Sequence, residues 1–237
     1  MVDTSEGCEH LKRLITFLLC ICLLCMPVGA SGQEKLVALT FDDGPSGKFT
    51  RRLLDGLAER DAKATFLLCG YRMEQYPELT ERIFRDGHEI GLHGYSHKSM
   101  KKMCRRDVTQ ELRSSMELIP EGCCVSFFRP PGGLCSQCVQ AAAENFGLSV
   151  LSWSVDPKDW ATDNVATIQK AVIRQVRDGD VILLHDMSDS SVDAALAIID
   201  ALQAQGFRFV TASQLARAKN VTPIPGETYT RFCQTDP

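Results

Sequence analysis

The sequence predicts one α/β domain built on a parallel sheet, and two observations support this prediction. Apolar segments with strand character alternate with amphipathic segments of helical character along most of the chain. The strand segments are continuously apolar, as in Val181-Ile182-Leu183-Leu184, which indicates that other elements cover both faces of the sheet. A doubly wound sheet and a closed barrel both fit this pattern.

The positions of the polar residues favour the barrel. Asp42, Asp43, His93, Arg129 and His185 each fall at or just past the C-terminal end of a strand segment. A β/α barrel gathers its active site at the C-terminal ends of its strands. We therefore expect a β/α barrel whose strands direct these side chains towards one point.

Seven strands and six helices are expected. The strands cover residues 36–41, 64–69, 88–93, 125–129, 148–153, 180–185 and 207–211. The helices cover residues 50–60, 77–86, 106–119, 136–146, 165–177 and 191–205, and several are followed by glycine, as helix C-termini often are. Helical crossovers between successive strands make the sheet parallel.

The chain divides into one domain and two terminal segments. Its 237 residues suit a single domain, which we place at residues 36–218. Residues 31–35 form a short polar linker before this domain. Residues 219–237 form an extension without periodicity, which we expect to be peripheral.

The first thirty residues have the pattern of an export signal. Lys12 and Arg13 precede an uncharged run over residues 14–26, and small residues then end at Ala30. The run is shorter than the roughly 20 residues that cross a bilayer, although extension to Ala30 allows an uncleaved anchor. We interpret residues 1–30 as a signal peptide or an N-terminal membrane anchor. The protein is therefore expected to be secreted or attached to the cell envelope, with membrane contact only through this segment.

Charge and cysteine content narrow the classes of function. The formal net charge is -4 and no basic block lies among aromatic residues, so a nucleic-acid partner is not expected. Four of the eleven cysteines lie in or before the export signal, and the other seven cannot all pair within the chain. Cys135 and Cys138 have the spacing of a redox or zinc pair, but a second pair of ligands is lacking nearby in the sequence, so a local disulfide or two thiols on a helix face is the favoured interpretation.

A metal site is the central chemical prediction. His93 and His97 are four residues apart, so their imidazoles face the same side if residues 94–96 form one helical turn. Asp43 supplies a carboxylate at the end of the first strand, although two histidines at this spacing also occur as surface pairs. Two imidazoles and one carboxylate leave coordination positions open, as hydrolysis requires. One divalent ion is expected. Zn²⁺ is the preferred choice, and Co²⁺, Mn²⁺ and Fe²⁺ accept the same donors.

Acid and base groups flank this predicted metal site in the sequence. Adjacent Asp42 and Asp43 repel each other in a poorly solvated pocket unless a cation neutralises one of them. Asp42 is then free to act as a general base on a water activated by the metal. The same segment is typical of a tight turn, and that interpretation is compatible with the chemical one. His185 ends an apolar strand and is placed to donate a proton.

Two further segments predict substrate contacts. Arg129 is followed by Pro-Pro-Gly-Gly, in which rigid and then unrestricted backbone is able to present N–H groups to an oxyanion. The arginine is expected to pair with an aspartate and hold it ionised. Trp153 and Trp160 enclose a segment with two more aspartates, and aromatic faces beside acids suit a sugar ring. A core tryptophan followed by a polar turn is the alternative.

Five segments in order resemble the five motifs of the polysaccharide deacetylases with a NodB homology domain, carbohydrate esterase family 4. These segments are Thr40-Phe41-Asp42-Asp43-Gly44-Pro45, His93-xxx-His97, Arg129-Pro-Pro-Gly-Gly, Asp156-xx-Asp159-Trp160 and Leu183-Leu184-His185. The resemblance implies a distorted (β/α)7 barrel and metal-dependent removal of acetyl groups from N-acetylated sugar polymers.

The resemblance also implies roles for individual residues. These are Asp42 as base, His185 as acid, Asp43, His93 and His97 as metal ligands, Arg129 as the residue that orients the base, Gly132 as the oxyanion donor through its N–H, and Trp160 and Leu183 as walls of the acetyl pocket. Asp156 and Asp159 are implied as the braces of Arg129 and His185, and the resemblance leaves open which aspartate braces which partner. The family often has tyrosine at the position of Gly132. Its second motif usually begins His-Ser or His-Thr, so the His93-Gly94 pair lacks one side-chain hydrogen bond.

The expected partner is a carbohydrate polymer, either peptidoglycan or a chitin-like oligosaccharide. Two alternatives stay open at this stage. The same residues suit an esterase that removes O-acetyl groups from xylan or another glycan, where protonation of the leaving group matters less. A carbohydrate-binding homologue without activity would keep the pocket alone.

Overall fold

The fold is organised around strand β1 (Lys35–Asp42), which pairs with three other strands. The computed structural model describes residues 34–233, and the predicted export signal lies outside the described residues. The other strands are β2 (Ala64–Leu68), β3 (Glu89–Leu92), β4 (Phe127–Phe128), β5 (Ser149–Leu151), β6 (Val181–His185), β7 (Phe207–Phe209) and β8 (Thr228–Tyr229). Every pairing between these strands is parallel.

The sheet curls because β1 changes partner along its length. Its first three residues, 35–37, pair with β7, whereas residues 38–42 pair with β6. Apart from β7, the strands lie in the order β6-β1-β2-β3-β4-β5-β8 across the sheet. A bridge between Val155 and Ile182 connects the segment after β5 to β6. The result is a distorted half-barrel, which confirms the predicted α/β barrel-like fold and excludes the doubly wound sheet.

Helices cover the outside of the curled sheet. They are α1 (Gly47–Glu59), α2 (Gly70–Gln75), α3 (Pro77–Arg85), α4 (Arg105–Met116), α5 (Gln137–Asn145), α6 (Val165–Ile173), α7 (Asp189–Gln203) and α8 (Ala212–Ala218). The short helices α2 and α8 were not predicted, because six or seven residues are too few to show a helical period. None of the helices within residues 34–233 combines the length and apolar character that a bilayer crossing needs.

All seven predicted strands are present, but several are shorter than expected. The segment predicted at 125–129 pairs as a strand only at Phe127 and Phe128. Arg129 still donates its N–H to the carbonyl of Leu92, and the two prolines that follow have no N–H for a ladder. The strand therefore ends where the site begins.

The C-terminal segment is not peripheral throughout, contrary to the expectation for residues 219–237. Strand β8 extends the sheet beside β5, and Phe232 is fully buried with its ring 6.1 Å from that of Phe127. Arg231 forms an ion pair of 2.9 Å with the buried Asp180. A strand of two residues followed by one buried aromatic residue has no periodicity, so the sequence pattern gave no indication of it.

Candidate active site

The C-terminal ends of the strands bring the predicted site residues together. Asp42 and His185 occupy paired positions on β1 and β6, and the pairing of Leu92 with Phe128 places His93 beside Arg129. A cleft of about 640 Å³ opens at this end of the sheet. It is lined by ten of the eleven predicted site residues, namely Asp42, Asp43, His93, His97, Gly132, Asp156, Asp159, Trp160, Leu183 and His185. Arg129 is the exception and lies fully buried.

Asp43, His93 and His97 form a compact group of three potential metal ligands. One donor atom from each lies within 4.8 Å of the other two. Oδ1 of Asp43 is 3.2 Å from Nε2 of His93 and 2.9 Å from Nε2 of His97. The predicted trio is therefore brought together at one point.

The donor chemistry of this group fits a cation. Nδ1 of His93 lies 2.7 Å from the carbonyl oxygen of Arg129, which can only accept, so the proton of the neutral ring is on Nδ1. Nε2 then has a lone pair that faces Asp43, whose buried Oδ1 has no hydrogen-bond donor. Burial opposes the charge on Asp43, but hydrogen bonds and positive charge from His93 and His97 in their protonated forms outweigh burial and hold its pKa below the ordinary value, as a cation in place of those protons would also do. A divalent ion among these three atoms would satisfy all of them.

The two histidines meet through a bend rather than the predicted helical turn. Gly94 has a φ of 78° and His97 a φ of 56°, so the backbone between them leaves the helical region. The N–H groups of Gly70 and Tyr71 donate to the carbonyls of Gly94 and Tyr95. The loop is thus fixed to the start of α2, and the positive φ of Gly94 explains why glycine suits this position.

Glu111 on α4 holds the same loop and was missed by the sequence analysis. Its Oε2 accepts the N–H groups of Tyr95 and Ser96 at 2.8 and 2.7 Å, and its Oε1 accepts the hydroxyl of Ser96 at 2.7 Å. These bonds from a carboxylate supply the support that the His93-Gly94 pair was expected to lack. The contact spans about fifteen residues of sequence, so no local pattern indicated it.

Asp42 is buried and tightly held by Arg129. Its Oδ1 accepts Nη1 of Arg129 at 2.6 Å. The same guanidinium donates to the hydroxyl of Thr40 and to the carbonyls of Leu151 and Ser152, at 2.7 to 2.9 Å. The arginine charge is thus paired, four of its five N–H donors form hydrogen bonds, and its rigid fork fixes the orientation of the Asp42 carboxylate.

His185, the residue paired with Asp42 on the neighbouring strand, is held by Asp159. Nδ1 of His185 lies 2.9 Å from Oδ1 of Asp159, and its backbone N–H donates to Oδ2 at 2.9 Å. Burial opposes protonation of His185, but the hydrogen bond and the charge of Asp159 outweigh it and raise the pKa of His185 to about 9. The ring is therefore charged at neutral pH and carries a proton that it can give away.

The two aspartates of the fourth motif do not divide the bracing task as expected. Asp159 braces His185, whereas Asp156 has no hydrogen bond to Arg129 or His185 in the described part of the chain. Asp156 instead accepts the N–H of Lys158, whose φ is 56°, and so shapes the turn that leads to Asp159. Arg129 is held by the backbone carbonyls of Leu151 and Ser152 instead of by Asp156.

The predicted substrate contacts surround the mouth and the wall of the cleft. Gly132 lies in an exposed turn with a φ of 71°, and a Cβ atom there would meet nothing within 4 Å. Leu183 is buried in the wall, whereas Trp160 is 67% exposed and lines the cleft as a free aromatic face. The ring of Trp153 packs directly against Gly133.

Known proteins resemble this chain in both sequence and structure. A family model described as Polysaccharide deacetylase matches residues 29–151. A protein of Bacillus cereus named peptidoglycan-N-acetylglucosamine deacetylase is 37% identical over 197 residues, which cover 79% of this chain and 91% of that protein.

Two solved structures show the same fold at similar identity. Peptidoglycan deacetylase PdaC from Bacillus subtilis has a TM-score of 0.75 and 35% identity, covering 81% of this chain and 94% of that one. A family 4 acetyl xylan esterase from Clostridium thermocellum, solved in complex with a cobalt ion, has a TM-score of 0.78 and 33% identity. That match covers 83% of this chain and 98% of the esterase.

Proposed function

This chain belongs to the polysaccharide deacetylase family and is a deacetylase, and from that premise we propose that it removes N-acetyl groups from peptidoglycan glycan strands with one divalent metal ion. The observation that carries the proposal is the position of Asp42 and His185 at paired sites beside three potential metal ligands. One group is a carboxylate held by arginine and the other is a histidine held in its charged form. A base and an acid side by side in one cleft are what amide hydrolysis requires.

Asp43, His93 and His97 would hold the metal ion, and Zn²⁺ is the ion that two imidazoles and a carboxylate suit best. A bound divalent ion supplies Lewis acidity, which polarises an acetamide carbonyl and makes water more acidic. Asp42 takes the proton of the attacking water, while Arg129 fixes the orientation of its carboxylate. The exposed backbone at Gly132 offers an N–H to the oxygen on which negative charge develops.

His185 completes the reaction by protonating the departing nitrogen. An amide needs this step, because an amine anion is a very poor leaving group, and such an acid contributes about 10² to 10⁴ in rate. Asp159 raises the pKa of His185 and fixes its ring, so Nδ1 is engaged and the proton on Nε2 is the one delivered. The exposed face of Trp160 is available for packing against a sugar ring.

Acetate release from defined glycans tests this proposal. We expect the full chain to release acetate from peptidoglycan strands and from N-acetylglucosamine oligomers, to lose activity with a chelator, and to regain it with Zn²⁺ or Co²⁺. Asp42→Asn is the control for contaminating enzymes and should be inactive on every glycan. Release that survives metal removal, or that is equal in Asp42→Asn, would refute the proposal.

The similarity to an acetyl xylan esterase favours O-acetyl groups as a second candidate substrate. His185 separates the two candidates, since an alcohol leaves far more readily than an amine. For an N-deacetylase, His185→Gln should abolish acetate release from N-acetylglucosamine oligomers. If acetylated xylan is the better substrate and turnover by His185→Gln stays near that of the unmodified enzyme, the chain is an esterase.

The same proposal places the protein outside the cytoplasm, where peptidoglycan lies. The export pattern in residues 1–30 supports this location, either as a cleaved signal or as an anchor. Fractionation of cells that express the full chain, with an antibody to the domain, distinguishes a released protein from an anchored one.

A further inference from the structure

A dense group of basic residues directly follows residues 93–97, the loop that carries both histidine ligands and that we call the metal loop. Lys98, Lys101, Lys102, Arg105 and Arg106 lie within nine positions of one another and begin immediately after His97. All five are exposed, and we call them the basic patch. The chain as a whole has a net charge of -4, so this concentration of positive charge runs against the overall balance.

The basic patch is not neutralised by its surroundings. Within residues 34–233 none of its five side chains forms an ion pair, whereas exposed Arg51 and half-buried Arg52 and Arg60 are paired with carboxylates. Arg105 donates only to the neutral amide of Asn145. Exposed Asp107 is the first acid to follow in sequence, and Glu111 is occupied by the metal loop. Most of the positive charge is therefore free to act on a ligand.

The basic patch lies beside the mouth of the catalytic cleft. Met100 is buried, and its Cε is 2.6 Å from where a Cβ on Gly94 would lie, so the segment folds back against the metal loop. Lys101 is four residues from His97, which limits the separation of their Cα atoms to about 14 Å. The Debye length is about 10 Å at 0.1 M salt, so a charge at this upper limit is partly screened, and the effect of the basic patch on a ligand in the cleft is strongest at low salt.

We propose that the basic patch binds carboxylates carried by the muramic acid residues of the glycan, which makes anionic peptidoglycan strands preferred over neutral chitin or xylan. This inference rests on the proposed deacetylase function and deepens it. In peptidoglycan the muramic acid carries a lactyl group that ends in a carboxylate or in a peptide with its own carboxylates. A glycan strand bound in the cleft brings these carboxylates close to the basic patch. Chitin oligomers carry no negative charge and gain nothing from it.

An anionic membrane surface is the rival ligand for the same chemistry. The position of the basic patch beside the substrate mouth favours the glycan, because a strand in the cleft meets both features at once. A patch of this kind raises association rates and the affinity at low salt more than it changes the chemical step. The expected signature is a salt-dependent kcat/KM with an unchanged kcat.

Charge-neutralised variants of the full chain test this inference. The test variant is Lys101→Gln/Lys102→Gln/Arg106→Gln, which avoids the neighbour of His97. The matched control is Lys170→Gln/Arg174→Gln/Arg217→Gln, which removes three exposed charges away from the cleft lining. Thermal melts of both variants check that folding is intact.

Three glycans and one vesicle serve as ligands. The glycans are peptidoglycan strands with peptides, the same strands after an amidase has removed the peptides, and a neutral N-acetylglucosamine pentamer. Where a peptide is attached the lactyl carboxyl is amide-bonded and uncharged, so the effect on those residues comes from peptide carboxylates. Loss of the effect after amidase treatment shows that only peptide carboxylates are bound, and its persistence shows that the lactyl carboxylate freed by the amidase is bound as well. The vesicle contains phosphatidylglycerol and detects membrane binding. Equilibrium binding is measured beside acetate release, so the inference is tested even with slow turnover.

We expect the test variant to lose about tenfold in kcat/KM on strands with peptides at low salt, and nothing on the pentamer. The loss should shrink at about 0.5 M salt, and the control should stay within about twofold of the unmodified enzyme. Equal losses on strands and pentamer, no loss on either, or loss of vesicle binding alone would overturn the inference. Acetate release from the pentamer by the unmodified enzyme shows separately whether the proposed function holds.

Discussion

The two ends of the curled sheet both contain buried ionisable residues and a cavity, but the pKa values of these residues are shifted by different causes. At the end described above, a cleft of about 640 Å³ contains His185, whose pKa is raised to about 9 by Asp159. Near the N-terminal ends of β4 and β5 lies a pocket of about 590 Å³, with Ser126 and Ser149 among its lining residues. Cavity size alone does not distinguish the two ends.

Burial is the largest cause of the pKa shifts of the ionisable residues at the start of β3. His88 is buried, accepts the N–H of Ala64, and has a pKa lowered to about 4 by burial and by Lys63. Burial also raises the pKa of Glu89, which accepts hydrogen bonds from Ser213 and Thr65. Burial shifts both pKa values towards the neutral forms, whereas at the cleft end the partners of Asp43 and His185 outweigh burial, although burial still raises the pKa of Asp186 to about 6. Catalysis is expected where partners overcome burial.

Removal of the acid or the base should give the largest effect and test this contrast directly. Asp42→Asn and His185→Gln should each lower kcat for acetate release by about 10² to 10⁴, because proton transfer to and from the reacting amide is lost. His88→Asn, at the opposite end, should leave kcat within about twofold. Steady-state kinetics on an N-acetylglucosamine oligomer checks all three variants. Comparable losses in His88→Asn would remove the distinction between the two ends.

Weakening the support of the metal loop should reduce metal affinity. Glu111→Gln replaces one of the accepting oxygens by an NH₂ group, so the loop that carries His97 loses bonds and metal affinity should fall about tenfold. Glu74→Gln is the matched control, since Glu74 accepts only the exposed hydroxyl of Tyr95. Competition with a chromophoric chelator measures both. Equal affinities of Glu111→Gln and the unmodified protein would show that the loop holds its shape without this carboxylate.

The pH profile should respond to Asp159 and not to Asp156. His185 must be protonated to act, so kcat should fall as the pH rises through about 9. Asp159→Asn removes the charge that raises this pKa, and the descending limb should therefore move to lower pH by about one unit or more. Asp156→Asn, in the same loop, should leave the limb in place, provided its turn survives. A shift of the same size in both variants would contradict the assignment of Asp159 as the brace.

The smallest expected effect concerns stability at the opposite end of the sheet. The pKa of His88 is below its unfolded value, so its contribution to stability is present above about pH 6.5 and is lost as the pH falls towards 4. His88→Asn keeps an acceptor for Ala64 and removes the titration. Between pH 7.5 and 5.5 the free energy of unfolding should fall by roughly 1 kcal/mol less in the variant than in the unmodified protein. Urea melts at pH 7.5 and 5.5 check this, and parallel losses in both proteins would contradict it.

The chemical residues of the site could be predicted from the sequence because they lie in short motifs at strand ends. Asp42, Asp43, His93, His97 and His185 all line the cleft in which they were expected. Continuous apolar strands and helical crossovers were sufficient to predict the parallel sheet. Both signals are local, so neither required knowledge of distant contacts.

The supporting contacts could not be predicted, because they join residues far apart in sequence. Carbonyls of Leu151 and Ser152 hold Arg129, and every residue has a carbonyl, so no pattern indicates them. In the sequence Glu111 looks like any acidic residue on a helix, and its role depends on the packing of α4 beside the metal loop. The bend at Gly94 likewise depends on positive φ, which the spacing of two histidines does not reveal.

The most direct test of the central claim is a Zn²⁺ titration of metal-free protein with parallel assays of acetate release. We predict that one ion binds per chain, that activity follows its occupancy, and that His97→Ala lowers both affinity and activity by more than about 100-fold. His88→Asn should match the unmodified protein. Binding of one ion by His97→Ala at unchanged affinity, or full acetate release by the metal-free protein, would contradict the claim that Asp43, His93 and His97 form the catalytic metal site.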